Sequence, residues 1–209
     1  MHQITEQLKL ARIVPVVVLQ DAADAKPLAK ALCDGGLPCA EITFRTEAAA
    51  EAIKIMTQEF PQMLVGAGTV LTPAHADQAI KAGAKFIVSP GLNPTMVKHC
   101  IKKKYPVFPG VNNPTGIETA LSMGLTMLKF FPAEASGGLA MIKALSAPYP
   151  QIRFMPTGGI NLENVHTYLA CDRVFACGGS WMVKEDLIKT GNFEEIQRLA
   201  EEAVRTVRA

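Results

Sequence analysis

The strongest constraint on how this chain can fold is a repeat. Short apolar runs rich in β-branched residues end near Leu19, Thr43, Val65, Val88, Phe108, Phe131, Met155 and Cys177, spaced about 20 to 24 residues apart. Between them lie amphipathic stretches such as Ala22 to Asp34, Glu47 to Phe60, Pro73 to Ala82 and Pro94 to Lys104. Their apolar residues have helical spacing, as in Leu28 and Leu32 ahead of Gly35-Gly36, or Ile53, Met56 and Phe60. Eight strand-then-helix units point to a parallel sheet, and eight is the number that closes a barrel. The expectation is an α/β fold, a (β/α)8 TIM barrel forming a single domain over residues 1–209, with an N-terminal segment and an extra C-terminal helix at about 193–208. A doubly wound open sheet is the alternative. It usually carries a glycine-rich dinucleotide turn after the first strand, and Val17-Val18-Leu19-Gln20-Asp21-Ala22 contains no glycine.

With 209 residues, 49% of them hydrophobic, the chain can bury one sizeable core. A net charge of +2 gives no basic excess to attract nucleic acid. The apolar run Ile13 to Leu19 is too short to span a bilayer, and Met1 to Arg12 lacks the features of a secretory signal, so a cytoplasmic protein with no membrane partner is expected. Cys33, Cys39, Cys100, Cys171 and Cys177 are odd in number with no C-x-x-C pair, and read as reduced core residues. His2, His75, His99 and His166 have no metal-site spacing, so no metal ligand is assigned.

Six turns sit at strand C-termini: Gly66-Ala67-Gly68-Thr69, Ser89-Pro90-Gly91, Pro109-Gly110-Val111, Pro132-Ala133-Glu134, Pro156-Thr157-Gly158-Gly159 and Gly178-Gly179-Ser180. Glycine and proline are ordinary turn formers. On one rim of a parallel barrel, however, six such turns favour a built pocket.

Lys129 is the most unusual residue. It sits in Met127-Leu128-Lys129-Phe130-Phe131-Pro132, a run that reads as a buried strand stopped by proline. A buried lysine either finds an anion or sheds its proton, and a neutral amine forms Schiff bases with carbonyl substrates. A lysine that snorkels out, or pairs with Glu134, is the bland alternative. In Ala40-Glu41-Ile42-Thr43-Phe44-Arg45 the period of two puts Glu41, Thr43 and Arg45 on one side, facing the same centre as Lys129. Arg45 offers a fork for a carboxylate and Glu41 a proton acceptor; a local Glu41–Arg45 ion pair is the alternative. Thr157-Gly158-Gly159 and Gly178-Gly179-Ser180 follow the seventh and eighth strands, where barrels often bind phosphate through backbone N–H groups. An amine, an acid/base, a carboxylate clamp and a phosphate cradle together suit a class I aldolase for a phosphorylated 2-oxo acid. A phosphosugar epimerase, a metal-dependent aldolase and a phosphometabolite-binding barrel without turnover compete with it.

On these residues the chain resembles the KDPG/KHG aldolase family, whose substrates are 2-keto-3-deoxy-6-phosphogluconate and 4-hydroxy-2-oxoglutarate. The resemblance runs nearly end to end. It is carried by Val14-Pro15-Val16, Glu41-Ile42-Thr43-Phe44-Arg45-Thr46, Gly66-Ala67-Gly68-Thr69-Val70-Leu71, Ser89-Pro90-Gly91-Leu92, Lys129-Phe130-Phe131-Pro132-Ala133-Glu134, Pro156-Thr157-Gly158-Gly159-Ile160 and Gly178-Gly179-Ser180-Trp181. It implies that Lys129 is the Schiff-base lysine and Glu41 the general acid/base. It further implies that Arg45 and Thr69 hold the pyruvyl carboxylate, with Pro90 and Phe131 lining that pocket. Thr157, Gly158, Gly159, Gly178, Gly179 and Ser180 take the phosphate end and sort stereochemistry. The resemblance also implies a cytoplasmic, metal-independent homotrimer that uses no cofactor and cleaves KDPG to pyruvate and glyceraldehyde 3-phosphate in the Entner–Doudoroff pathway. The galactonate epimer and 4-hydroxy-2-oxoglutarate remain open as substrates.

Overall fold

A computed structural model describes residues 2–208; Met1 and Ala209, the two ends of the expected domain, lie outside the described residues. Helix α1 (His2–Ala11) leads into β1 (Ile13–Val17), and strands and helices then alternate. A 3-10 turn at Ala22–Asp24 opens α2 (Ala25–Asp34), which is followed by β2 (Cys39–Thr43), α3 (Ala49–Glu59), β3 (Leu64–Gly68), α4 (Pro73–Ala82), β4 (Ile87–Val88) and α5 (Pro94–Lys102). Next come β5 (Val107–Phe108), β6 (Gly110–Val111), α6 (Pro114–Ser122), β7 (Met127–Phe130), α7 (Gly138–Ser146), β8 (Arg153–Pro156), α8 (Val165–Leu169), β9 (Cys177–Gly179), α9 (Glu185–Lys189) and α10 (Phe193–Arg208). Three helices start alike, with a polar cap followed by proline. Thr72, Asn93 and Asn113 each accept a backbone N–H from the first turn, and Pro73, Pro94 and Pro114 take positions where a missing N–H costs nothing.

The strands do not form the closed eight-stranded (β/α)8 barrel that the repeat predicts. They form two parallel sheets, one of six strands in the order β5-β4-β3-β2-β1-β9 and one of three in the order β6-β7-β8. Two seams separate them. At the first, the turn expected at Pro109-Gly110-Val111 contains a short strand of its own, β6, and Pro109 alone separates it from β5. The carbonyl of Phe108 still accepts from Ser89 at 3.4 Å, while that of Pro109 already accepts from Lys129 at 3.0 Å, so the chain changes sheets across one residue. Proline contributes no N–H to either ladder. At the second seam β9 is zipped to β1, pairing Ile13 with Cys177 and Pro15 with Gly179. Toward β8, among the described residues, the chain from Val174 to β9 makes the isolated bridges Phe154–Val174 and Thr157–Gly178 in place of a ladder.

Side-chain alternation divides the core. Ala40, Ile42, Leu128, Phe130 and Phe154 face the helices in the larger cluster. Leu8, Val14, Cys39, Phe86, Phe108, Met155 and Phe175 form a smaller interior cluster, with Phe108 in ring contact with Phe86 and Phe175. Above Cys39 on the same side of β2 comes Glu41, and beside Met155 in register comes Lys129. The interior is therefore apolar below and charged above.

Gly110 lies in register with Lys129, and a Cβ there would overlap the carbonyl oxygen of Pro90. Because the obstacle is backbone, Gly110→Ala should lower the unfolding free energy by about 2–3 kcal/mol. Urea denaturation measures this; an unchanged midpoint would mean that the seam is free to move.

Candidate active site

Lys129 and Glu41 come from different sheets and stand 88 residues apart in sequence, yet Lys129 Nζ donates to Glu41 Oε1 at 3.3 Å. Both are buried, at 4% and 0% exposure. Lys129 Nζ also lies 5.2 Å from the ring centroid of Phe131, close enough for the aromatic face to share the cation. Glu41 fits because Gly68 in the neighbouring strand has no side chain; a Cβ there would overlap Glu41 Oε1. The second carboxylate oxygen, Oε2, is buried with no partner. A buried acceptor of that kind calls for a donor from a ligand or water. The negative charge reaches down the strand too, since burial first and the Glu41 carboxylate second push the Cys39 thiol up from its ordinary range.

Arg45 does not pair with Glu41. It lies four residues further on at the exposed rim, where its Nε donates to Thr69 Oγ1 at 3.3 Å. Thr69 holds a φ of +53°, a strained setting for a β-branched residue, directly after Gly68. Glu134, the other carboxylate weighed for Lys129, accepts instead from the hydroxyl of Tyr168.

A cavity of about 560 Å³ opens at the rim. Arg45, Phe131, Thr157, Gly158, Gly159, Gly178, Gly179 and Ser180 all line it. Pro90 lies apart from this group, in an adjoining hollow of about 690 Å³ that shares Phe131 with the first. Lys129, Glu41 and Thr69 are not among the lining residues of either; the buried pair lies behind Phe131 in the chain's strand β7 and across from it in β2. Of the two glycine pairs, Gly178-Gly179 lies in β9, while Gly158-Gly159 lies in a loop with the backbone freedom an anion cradle needs. Gly158 and Gly159 sit at φ +100° and +82°, where any side chain is strained. Thr157 Oγ1 is buried without a partner beside Gly178, another acceptor and donor in search of a ligand.

Sequence reasoning missed several wall residues, among them Val16, Asn161, Trp181 and Lys184. Trp181 was visible only as the neighbour of a glycine pair; in three dimensions its ring occupies the place of a Gly179 side chain. Lys184 adds an exposed cation to the cavity wall, and nothing in its local sequence marks it. Among the described residues no group of three His, Cys, Asp or Glu side chains is placed to hold a metal ion.

A parallel β/α scaffold with a buried lysine–carboxylate pair beside a glycine-rimmed cavity defines a class of carbonyl-handling enzymes. Comparison with known proteins is specific. Residues 4–199 match the family model for KDPG and KHG aldolases. The chain is 52% identical to a 2-dehydro-3-deoxy-phosphogluconate aldolase of Haemophilus influenzae over 99% of this chain and 98% of that protein. Among solved structures it is similar to the 2-keto-3-deoxy-6-phosphogluconate aldolase of Zymomonas mobilis with 3-phosphoglycerate, at TM-score 0.90 and 44% identity, covering 97% of this chain and 95% of that one. It is also similar to the KDPG aldolase of Legionella pneumophila with pyruvate captured as a covalent carbinolamine, at TM-score 0.92 and 40% identity, covering 96% and 97%. The chain belongs to the KDPG/KHG aldolase family and is a lyase.

If charge complementarity holds the buried pair, removing one partner strands the other. Lys129→Met alone should cost about 3–5 kcal/mol of stability, and the double variant Lys129→Met/Glu41→Leu should recover most of it. Urea unfolding of the two proteins decides this; a single variant as stable as the parent would mean that the pair contributes no net attraction.

Proposed function

We propose that this chain is a class I aldolase that cleaves 2-keto-3-deoxy-6-phosphogluconate to pyruvate and glyceraldehyde 3-phosphate, and that it also accepts 4-hydroxy-2-oxoglutarate. The observation that carries the reading is the 3.3 Å contact between Lys129 Nζ and Glu41 Oε1 in a buried interior, with Glu41 Oε2 unpartnered. An amine and a proton carrier at that distance are the two groups that imine chemistry requires.

Lys129 attacks the C2 carbonyl and forms a carbinolamine, which loses water to give the iminium. Glu41 accepts the proton of the C4 hydroxyl as the C3–C4 bond breaks. The bonding pair moves into the iminium, giving an enamine, and the aldehyde leaves. Glu41 then returns a proton to C3, and water releases pyruvate and the free amine. Arg45 and Thr69, already hydrogen-bonded to each other, hold the pyruvyl carboxylate, while Pro90 and Phe131 enclose the pyruvyl carbon chain. At the far end Gly158, Gly159, Gly178, Gly179 and the Ser180 hydroxyl receive the phosphate, and Thr157 contacts the chain hydroxyls that distinguish epimers. The gluconate epimer is the proposed substrate. The enzyme assembles as a homotrimer and acts in the cytoplasm, in the Entner–Doudoroff pathway. No helix of the described residues is long and apolar enough to cross a membrane.

Two measurements test this reading. Borohydride reduction in the presence of pyruvate should leave a pyruvyl adduct on the peptide containing Lys129, and its absence on folded protein would sink the covalent mechanism. Glu41→Gln should slow turnover by about 10²–10⁴-fold. If that variant only raises KM, Glu41 positions the substrate and moves no proton.

A further inference from the structure

Glu134 is charged, stands in the lysine segment, and yet takes no part in the chemistry above. Its surroundings give it another task. The loop after β7 is stitched to the loop after β8, with Ala133 N–H donating to the Thr157 carbonyl at 2.8 Å and Glu134 N–H to the Gly158 carbonyl at 3.1 Å. The Glu134 side chain then lies on Gly159, its Cγ within 2.5 Å of where a Cβ would project. Its Oε1 accepts from the hydroxyl of Tyr168, in α8. Asn164, the residue before that helix, donates from Nδ2 to the Gly159 carbonyl at 2.9 Å. Gly159 is thus held from both sides. Gly158 and Gly159 line the cavity; Glu134 and Tyr168 do not, so any effect they have on a ligand passes through the glycine loop.

We infer that Glu134 and Tyr168 are positioning residues that hold the Gly158–Gly159 backbone open to the anionic end of the substrate and so set the preference for phosphorylated over unphosphorylated substrates. Two left-handed glycines are free to turn their peptide planes, and an anion cradle works only if the N–H groups already face it. A carboxylate beside a phosphate site would otherwise repel the ligand, so its charge has to be committed elsewhere. Tyr168 is 2% exposed, and burial first, with the hydrogen bond to Glu134 second, pushes its hydroxyl up from its ordinary range, keeping it a donor. The inference rests on the aldolase reading, which it extends from the reacting atoms to the choice of substrate.

The test compares Tyr168→Phe, Glu134→Ala and Glu134→Gln on 2-keto-3-deoxy-6-phosphogluconate and on 4-hydroxy-2-oxoglutarate. Tyr168→Phe and Glu134→Ala should raise KM for the phosphorylated substrate about tenfold, leaving its kcat and the KM for the unphosphorylated one within about twofold. Glu134→Gln keeps an acceptor for the tyrosine and should stay within about threefold of the parent. Glu134 is exposed, so its variants give the reading even if Tyr168→Phe does not fold. Equal changes on both substrates, or none on either, would overturn the positioning role while the parent's activity stands. A parent that cleaves neither substrate and traps no pyruvate would remove the aldolase reading, and this inference with it.

Discussion

The Lys129–Glu41 pair is the interaction on which the rest of the structure depends. Removing two charges from water is costly, and only close contact with good partners offsets it. The pair is reached from two separate sheets, so the distance between its atoms is a property of the whole fold. Neighbouring positions are emptied to make room. Gly68 leaves space for the Glu41 carboxylate, and Gly110 lets the β6 backbone press against Pro90 beside Lys129. The apolar layer of Phe86, Phe108 and Phe175 beneath gives the pair a dry floor. In that setting the cation-facing ring of Phe131 and the one engaged oxygen of Glu41 account for the polar contacts given to the amine.

How much of this was legible in the sequence follows from how local each signal is. Strand and helix alternation is written in hydrophobic period, and helices α4 and α5 start where Pro73 and Pro94 announce them. The closed ring that the repeat predicts does not form, because closure depends on ladder hydrogen bonds between residues far apart, which a count of strands does not carry. Pro109 looked like a turn at the end of a strand, whereas it stands between two short strands that belong to different sheets. Lys129 stood out as a charge in a run that ought to be buried and Glu41 by the alternation of its strand, yet each had a plausible nearer partner, Glu134 for one and Arg45 for the other. Neither local pairing forms. The period of two set Glu41 toward the same centre as Lys129, but direct contact across 88 residues leaves no trace in spacing, and the same holds for the contact between Glu134 and Tyr168.

Family membership and geometry constrain different things. The relatives fix the family of reactions, and the geometry underlies the division of labour proposed for this chain. The proposed reacting end is made of side chains locked in a packed interior, where any change disturbs both charge balance and packing. The proposed phosphate end is made of backbone, in the loop after β8 and in β9, with its glycines packed against neighbours such as Glu134 and Trp181. Those neighbours are reached without touching the lysine or its carboxylate.

This separation has a chemical reason. The pyruvyl half is common to every substrate such an enzyme cleaves, so the groups that handle it gain from being rigid and already desolvated. The aldehyde half differs in length, charge and stereochemistry. A backbone cradle recognises an anion that the substrate is long enough to bring to it, and its selectivity is set by how firmly the loop is held in one orientation. A chain built this way can change what it accepts by altering the struts behind Gly158 and Gly159, while the cost of burying Lys129 and Glu41 is met once by the fold and left alone.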